Sequence, residues 1–181
     1  AVEADPDFAG SYNNLALIAL DREDWAAAGP LLNQAMERAP GDPMIHNNQG
    51  NLLLRLGRVP EAEAEYRKAL ALKSDYAEPH NGLGSIQGRR GNRLEEIAEY
   101  RKALQIEPRY LDARANLART LLAGADYRGA IALCREGVSL RPESVLLWNL
   151  LGEASLRAGD GKGAREAFRN SISQRGQEIP L

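Results

Sequence analysis

One stretch of the chain returns thirty-four residues further along. Residues 57–70 read GRVPEAEAEYRKAL, and residues 91–104 read GNRLEEIAEYRKAL. The last seven residues, AEYRKAL, are identical in the two stretches. A fixed period of this length is typical of a chain built from stacked copies of one supersecondary unit. The sequence therefore predicts a repeat array, whose core continues from unit to unit, rather than a domain with one central core.

The period extends over nearly the whole chain and divides it into five repeats. We number the positions of each repeat from its first residue, which is Ala9, Pro43, Ala77, Leu111 or Val145. Position 8 is small in every repeat: Ala16, Gly50, Gly84, Ala118 and Gly152. Position 24 holds Leu32, Tyr66, Tyr100, Cys134 and Phe168. Apolar residues at helical spacing flank both positions, so each repeat is predicted to form a pair of antiparallel helices.

This spacing resembles the tetratricopeptide repeat, a helix-turn-helix unit. The resemblance implies an all-α fold, a right-handed superhelical α-solenoid in which the first helix of each pair lines a concave groove. It implies repeats at residues 9–42, 43–76, 77–110, 111–144 and 145–178, and a tail at 179–181. Ala1–Pro6 aligns with Ala35–Pro40, so residues 1–8 are expected to end a truncated preceding repeat. On this interpretation the chain is a fragment of a longer array.

Some residues depart from the pattern. Pro30 falls inside a predicted second helix, where its missing N–H predicts a bend or a loosened turn. Glu96 occupies position 20, which is alanine in the other four repeats, and we expect the helix start to shift by about one residue to expose it. His46, His80 and Arg114 stand at position 4, where an aromatic residue is usual in the family, and are interpreted as replacements for packing aromatics.

Composition narrows the class of function. A formal net charge of −2 and a pI of about 5.8 provide no basic field for phosphates, so no nucleic-acid partner is predicted. No apolar stretch reaches the length of a membrane span. The single cysteine, Cys134, stands at an apolar core position and is interpreted as buried filler rather than a reactive thiol. No nucleophile, phosphate-loop or zinc motif occurs, so we predict no enzyme, cofactor or metal site.

Function is expected on the free side of the first helices. At 100° per residue, positions 2, 6, 9 and 13 lie opposite the buried side, with position 5 at the flank. The residues predicted to line a peptide-binding groove are Asn13, Asn14, Asn47, Asn48, Asn51, Arg55, Asn81, Ser85, Arg89, Asn116, Arg119, Asn149, Glu153 and Arg157. Carboxamides both donate and accept hydrogen bonds, which suits recognition of an extended peptide backbone. The asparagine series resembles that of O-linked N-acetylglucosamine transferases. Alternatively, the asparagines bond to neighbouring backbone or water, and the charges complement the helix dipoles.

The C-terminal end of the array is predicted to expose apolar surface. Leu146 and Leu150 stand at groove positions, and Phe168 and Ile172 lie on a second helix that no further repeat follows. Such a patch usually marks a contact. It is expected to pack on a second copy or on a missing segment, or to be covered by Ile179 and Leu181.

The predicted function is a non-catalytic scaffold that binds a peptide or protein segment in its groove. Two alternatives stay open: a self-assembly module acting through uncapped array ends, and the substrate-recruiting domain of a larger enzyme such as a glycosyltransferase. Cytoplasm and periplasm are both compatible with the sequence.

Overall fold

A computed structural model describes residues 9–177 of the chain. The predicted end of a preceding repeat at residues 1–8 and the predicted tail at 179–181, with Ile179 and Leu181, lie outside the described residues. The described part consists of ten helices and contains no strand. The chain forms two compact units, residues 1–86 and 87–181, and the boundary falls within one helix.

The N-terminal unit contains two complete helix pairs. Its helices are α1 (Ala9–Asp21), α2 (Trp25–Arg38), α3 (Pro43–Arg55), α4 (Val59–Leu72) and the greater part of α5 (Ala77–Arg89). Helix α1 packs on α2 and α3 packs on α4, and α3 also contacts α1 and α2. Short connections of this kind make successive helices antiparallel. Helix α2 runs without interruption through Pro30.

The C-terminal unit follows the same plan. Its helices are α6 (Arg93–Ile106), α7 (Leu111–Ala123), α8 (Tyr127–Leu140), α9 (Val145–Arg157) and α10 (Gly161–Gln177). Helix α7 packs on α6, α8 and α9, and α9 also packs on α8 and α10. The first helices α1, α3, α5, α7 and α9 thus begin at Ala9, Pro43, Ala77, Leu111 and Val145, at intervals of one repeat period.

The turn inside each pair has one fixed backbone conformation. Position 15 has positive φ in all five pairs: 57° at Glu23, 77° at Gly57, 78° at Gly91, 60° at Ala125 and 81° at Gly159. Glycine adopts this conformation without steric cost, so three of the five residues there are glycine. Each second helix begins two residues later, and the carboxylate of Asp24 caps α2 by accepting from the Ala27 amide at 3.0 Å. Helix α6 begins at Arg93, in the common register, so the expected shift of its start is wrong.

The two helices of a pair meet where position 8 is small. A Cβ atom added to Gly50 would lie 2.7 Å from Cε1 of Tyr66, and one added to Gly152 would lie 2.5 Å from Cε1 of Phe168. The aromatic ring at position 24 therefore occupies the space that a side chain at position 8 would need. At the same position 24, Cys134 is fully buried, and burial raises the pKa of its thiol to about 12. The thiol stays protonated at neutral pH, as expected of core filler.

Position 4 of the first helices makes a recurring hydrogen bond. Trp148 Nε1 donates to the carbonyl of Pro142 at 2.7 Å. Arg114 Nη2 donates to the carbonyl of Pro108 at 2.6 Å, and His46 Nε2 lies 2.9 Å from the carbonyl of Pro40. In each case the acceptor lies six residues earlier and closes the preceding repeat. A side chain at position 4 thus contributes an N–H donor as well as bulk.

His46 and Arg114 also bind the second helix of their own pair. Nδ1 of His46 lies 2.6 Å from Oε2 of Glu65. Burial raises the pKa of the Glu65 carboxyl, but hydrogen bonds from Lys68 and His46 outweigh it and leave that pKa below its ordinary value. Arg114 is 3% exposed, and its Nη1 lies 3.1 Å from Oε2 of Glu136. Both residues therefore join the preceding repeat to their own helix pair.

Substitution of Arg114 tests whether its buried guanidinium joins the preceding repeat to its own helix pair. We expect Arg114→Ala to lower the free energy of unfolding by about 2–3 kcal/mol, because the Pro108 carbonyl loses a charged donor and a cavity opens beside Gly137. The exposed residue Arg128 provides the matched control, and Arg128→Ala should change stability by less than about 0.5 kcal/mol. Urea denaturation followed by circular dichroism measures both. Equal costs for the two variants would contradict the role assigned to Arg114.

Candidate peptide-binding surface

The predicted groove residues separate into three groups by exposure. Those that are exposed are Asn14, Asn51, Arg55, Arg89, Arg119, Asn149, Glu153 and Arg157. Those that are half-buried are Asn81, Ser85 and Asn116. Those that are buried are Asn13, Asn47 and Asn48. The exposed residues of the first helices define what we call the first-helix surface, and it is described separately for each compact unit.

The buried asparagines of the N-terminal unit bind one another. Asn48 Nδ2 donates to Asn13 Oδ1 at 2.8 Å, which joins α3 to α1. Asn47 Nδ2 donates to Asn48 Oδ1 at a longer 3.4 Å. Asn13 and Asn48 are 3% and 4% exposed, so neither carboxamide is free to meet a ligand. The expectation of an open series of asparagines is therefore wrong at Asn13, Asn47 and Asn48. Asn13 and Asn48 instead hold adjacent first helices together.

Position 6 as a whole lies deeper than the helical pattern indicates. Asn48, Gly82 and Leu150 all occupy it and all are buried. The 100° rule places a residue relative to its own helix axis, but it does not include the preceding helix pair. Asn48 meets Asn13 on α1, and Gly82 lies against the ring of Tyr66 on α4. Asn14 is exposed at the same position, and no earlier first helix precedes it among residues 9–177. The first-helix surface thus consists mainly of positions 2, 9 and 13.

Two exposed asparagines are held by the second helix of their own pair. Tyr66 Oη donates to Asn51 Oδ1 at 2.8 Å in the N-terminal unit. Ser171 Oγ donates to Asn149 Oδ1 at 2.7 Å in the C-terminal unit. In both cases the oxygen of the carboxamide is occupied, while the side chain is exposed. The NH₂ group is therefore oriented and available as a donor.

Tyr66 and Ser171 were absent from the predicted set. The sequence shows Tyr66 at a core position, where a ring is expected to be only packing. The side chain is fully buried, yet its phenol donates to the exposed Asn51 and fixes that carboxamide.

Charged residues on the first-helix surface differ in their partners. Arg157 Nη2 lies 3.3 Å from Oε1 of Glu153, one helical turn away on α9. Arg55 and Arg119 are exposed, and neither guanidinium group makes a hydrogen bond or ion pair within residues 9–177. Ser85 is turned toward its own helix, because its Oγ donates to the carbonyl of Asn81 at 3.1 Å. Arg55 and Arg119 are thus the cations most available to a partner.

The predicted apolar patch near α9 and α10 is only partly open. Leu146 is 40% exposed and Ile172 is 72% exposed. Phe168 is half-buried, with its ring against Gly152. Leu150 is 7% exposed and belongs to the core of the C-terminal unit, so its expected place in an open groove is wrong. Self-association through this end stays a prediction.

These observations define an all-α protein of the solenoid class, built from helix pairs with a 34-residue period. Solved structures share the fold. The crystal structure of MamA is 18% identical, covers 96% of this chain and 97% of its own, and gives a TM-score of 0.72. Pseudomonas aeruginosa pilF is 20% identical over 92% of this chain and 76% of its own, with a TM-score of 0.82. YrrB, described as a TPR protein with an unusual peptide-binding site, is 15% identical over 98% and 91%, with a TM-score of 0.65.

Family models identify the repeat itself. One described as "Tetratricopeptide repeat" matches residues 1–43 and 115–178, which together exceed half of the chain. A second of that description matches residues 31–64, and one described as "TPR repeat" matches residues 50–91. No curated protein matches the chain significantly. The chain belongs to the tetratricopeptide repeat family, whose members are typically non-catalytic protein-interaction scaffolds. No helix within residues 9–177 has the length and apolar character needed to cross a membrane.

The two roles of asparagine can be separated by substitution. We expect Asn48→Ala to destabilise the protein by about 1–3 kcal/mol, because it leaves Asn13 Oδ1 and Asn47 Nδ2 buried without their partners. Asn14→Ala, at the same position of the preceding repeat, should change stability by less than about 0.5 kcal/mol, because Asn14 is exposed. Urea denaturation compares the two variants. A tolerated Asn48→Ala substitution would show that the buried bond does not hold the helices together.

Proposed function

We propose that this chain is a scaffold that binds an extended segment of a partner protein along the first-helix surface. The observation that carries the proposal is the arrangement of Asn51 and Asn149. Each is exposed, and each has its carboxamide oxygen occupied by a hydroxyl of the paired second helix. An oriented NH₂ donor loses less conformational entropy on binding than a freely rotating one. Peptide carbonyl groups are the matching acceptors.

The cations of the surface support the same function. Arg55 and Arg119 carry charge without a partner in the described part of the chain. Five N–H donors on each guanidinium bind carboxylates or backbone carbonyls of a segment lying across the helices. Asn14 adds a carboxamide that is also exposed. We propose that, within each compact unit, each 34-residue repeat contributes one or two such side chains.

The burial of Asn13 and Asn48 changes the interpretation of the asparagine series. These residues join α1 to α3 and set the spacing of the first helices. The side chains that contact ligand are then Asn14, Asn51 and Asn149, whereas Asn48 acts through the scaffold. This division separates substitutions that affect binding directly from those that affect it through stability.

A peptide selection tests the proposed function. A library of random twelve-residue peptides displayed on phage is selected against the immobilised chain, and an enriched peptide is titrated by calorimetry. We expect Asn51→Ala to weaken a peptide that binds the N-terminal unit, and Asn149→Ala one that binds the C-terminal unit, by about 1 kcal/mol, roughly fivefold. Melting temperatures are measured in parallel, because each substitution also removes the acceptor of the Tyr66 or Ser171 hydroxyl. Arg165→Ala, which changes an exposed residue of the second helix α10, is the control and should bind like the parent chain.

Two results would refute the proposal. One is the failure of any peptide to enrich over a surface without the protein. The other is an enriched peptide whose affinity is unchanged in Asn51→Ala and Asn149→Ala but reduced in Arg165→Ala, which would place binding on the second helices.

A further inference from the structure

Three departures from the repeat pattern meet at one place in the C-terminal unit. Position 12 is leucine in four repeats, at Leu20, Leu54, Leu122 and Leu156, but is Gly88 in the third. Position 20 is alanine in the same four repeats but is Glu96 in the third. Position 10 is apolar at Ile18, Leu52, Ile86 and Ala154 but is Thr120 in the fourth. A leucine and an alanine are thus replaced by a glycine and a carboxylate, and a hydroxyl is added.

The structure brings these three residues into contact. Thr120 Oγ1 donates to Glu96 Oε1 at 2.7 Å. A Cβ atom added to Gly88 would lie 2.6 Å from the same Glu96 oxygen and 2.9 Å from Cδ. The Glu96 carboxylate therefore takes space that any side chain at residue 88 would fill. The carboxylate stays half-buried while α6 keeps the common register.

A hollow of about 360 Å³ lies between the end of α5, the start of α6 and the end of α7. Gly88, Glu96 and Thr120 line it, together with Arg93 and Arg119. Both arginines are exposed, and within residues 9–177 neither guanidinium group makes a hydrogen bond or ion pair. Arg119 also belongs to the first-helix surface, so the hollow opens beside the proposed path of a bound segment.

The charges of the lining select the ligand. Two guanidinium groups face one carboxylate, so the hollow has an excess of one positive charge. A guanidinium matches a carboxylate in shape and binds it through paired hydrogen bonds. Glu96 holds the Thr120 hydroxyl on one oxygen, and its other oxygen is an acceptor for an N–H group. An acidic amino-acid residue supplies both complements, a carboxylate on its side chain and an N–H on its backbone.

We propose that this hollow is a pocket for an aspartate or glutamate residue of the bound segment. The side-chain carboxylate binds Arg93 and Arg119, and the backbone N–H of the same residue donates to Glu96. Gly88 provides the room, and Thr120 holds the Glu96 carboxylate in place. This proposal rests on the proposed function, because the aspartate or glutamate belongs to the segment that is proposed to bind there. The pocket determines which type of residue that segment has beside α7.

A titration with a single-residue probe tests the pocket. The probe is N-acetyl-glutamate N-methylamide, which carries one carboxylate and two amide N–H groups. Binding is followed in ¹H–¹⁵N NMR spectra of the whole chain. We expect saturable shifts confined to the amides of residues 88–96 and 119–123, weakened by added salt. The isosteric N-acetyl-glutamine N-methylamide should give shifts at least about tenfold smaller at equal concentration, because it lacks the charge.

Variants separate the pocket from general charge attraction. Arg93→Gln and Arg119→Gln should each weaken probe binding about tenfold or more. The double variant Gly88→Leu/Glu96→Ala, which restores the residues of the other repeats, should abolish the shifts by filling the hollow. Arg128→Gln removes an exposed arginine of α8 outside the pocket and should bind the probe like the parent chain. The two arginine variants keep the test valid should the double variant fold poorly.

The outcomes that would overturn the pocket are distinct. Equal shifts from the glutamate and glutamine probes would show that the side-chain carboxylate of the probe does not contribute to binding. Larger shifts from N-acetyl-lysine N-methylamide would assign the hollow to a cation at Glu96. The probe binds without any neighbouring peptide, so its failure refutes the pocket alone, whereas failure of the phage selection refutes the proposed function alone.

Discussion

The close approach of two helices within each pair is the constraint on which this structure depends. It requires a small residue at position 8, because the side chain at position 24 occupies the opposing space. Tyr66 lies against Gly50, and Phe168 lies against Gly152, at distances that leave no room for a Cβ atom on either glycine. Position 20 is under the same constraint, and its alanines are almost wholly buried. Since an array of this kind is stabilised only by neighbouring helices, each of these contacts must be satisfied locally.

The polar departures from the pattern are compensated where they occur. His46, Arg114 and Trp148 differ in charge and shape, yet each contributes a ring or guanidinium N–H to the carbonyl six residues earlier. The close pairing of Asn13 and Asn48 joins two first helices in the same way. A buried polar group is tolerated when its partner is present, and it then also fixes the geometry. In this chain such groups set how adjacent helices pack.

Much of the fold could be predicted from the period alone. The starts of the first helices and the burial of Cys134 both follow from positions within one repeat. The burial of Asn48 and Leu150 could not be predicted in that way, because it depends on a neighbouring helix whose distance the period does not specify. The way in which the fold accommodates the Glu96 carboxylate could not be predicted for a related reason. The room for its carboxylate comes from Gly88 on one helix and its hydrogen-bond donor from Thr120 on another, so three positions must be compared between repeats to find it.

The central claim is that a residue that departs from the repeat pattern is compensated by its direct neighbours. The energetic coupling between residues 88 and 96 tests this claim most directly. A thermodynamic cycle compares the parent chain, Gly88→Leu, Glu96→Ala and the double variant by urea denaturation. Gly88→Leu alone should destabilise by about 2 kcal/mol or more, because the leucine side chain meets the carboxylate. Glu96→Ala alone should cost at most about 1 kcal/mol, since the single proton of the Thr120 hydroxyl can then go to the Asn116 carbonyl, 3.0 Å away. The account predicts that the double variant is as stable as the parent chain, so the coupling equals the sum of the two single costs, about 2–3 kcal/mol. Costs that simply add in the double variant would contradict it.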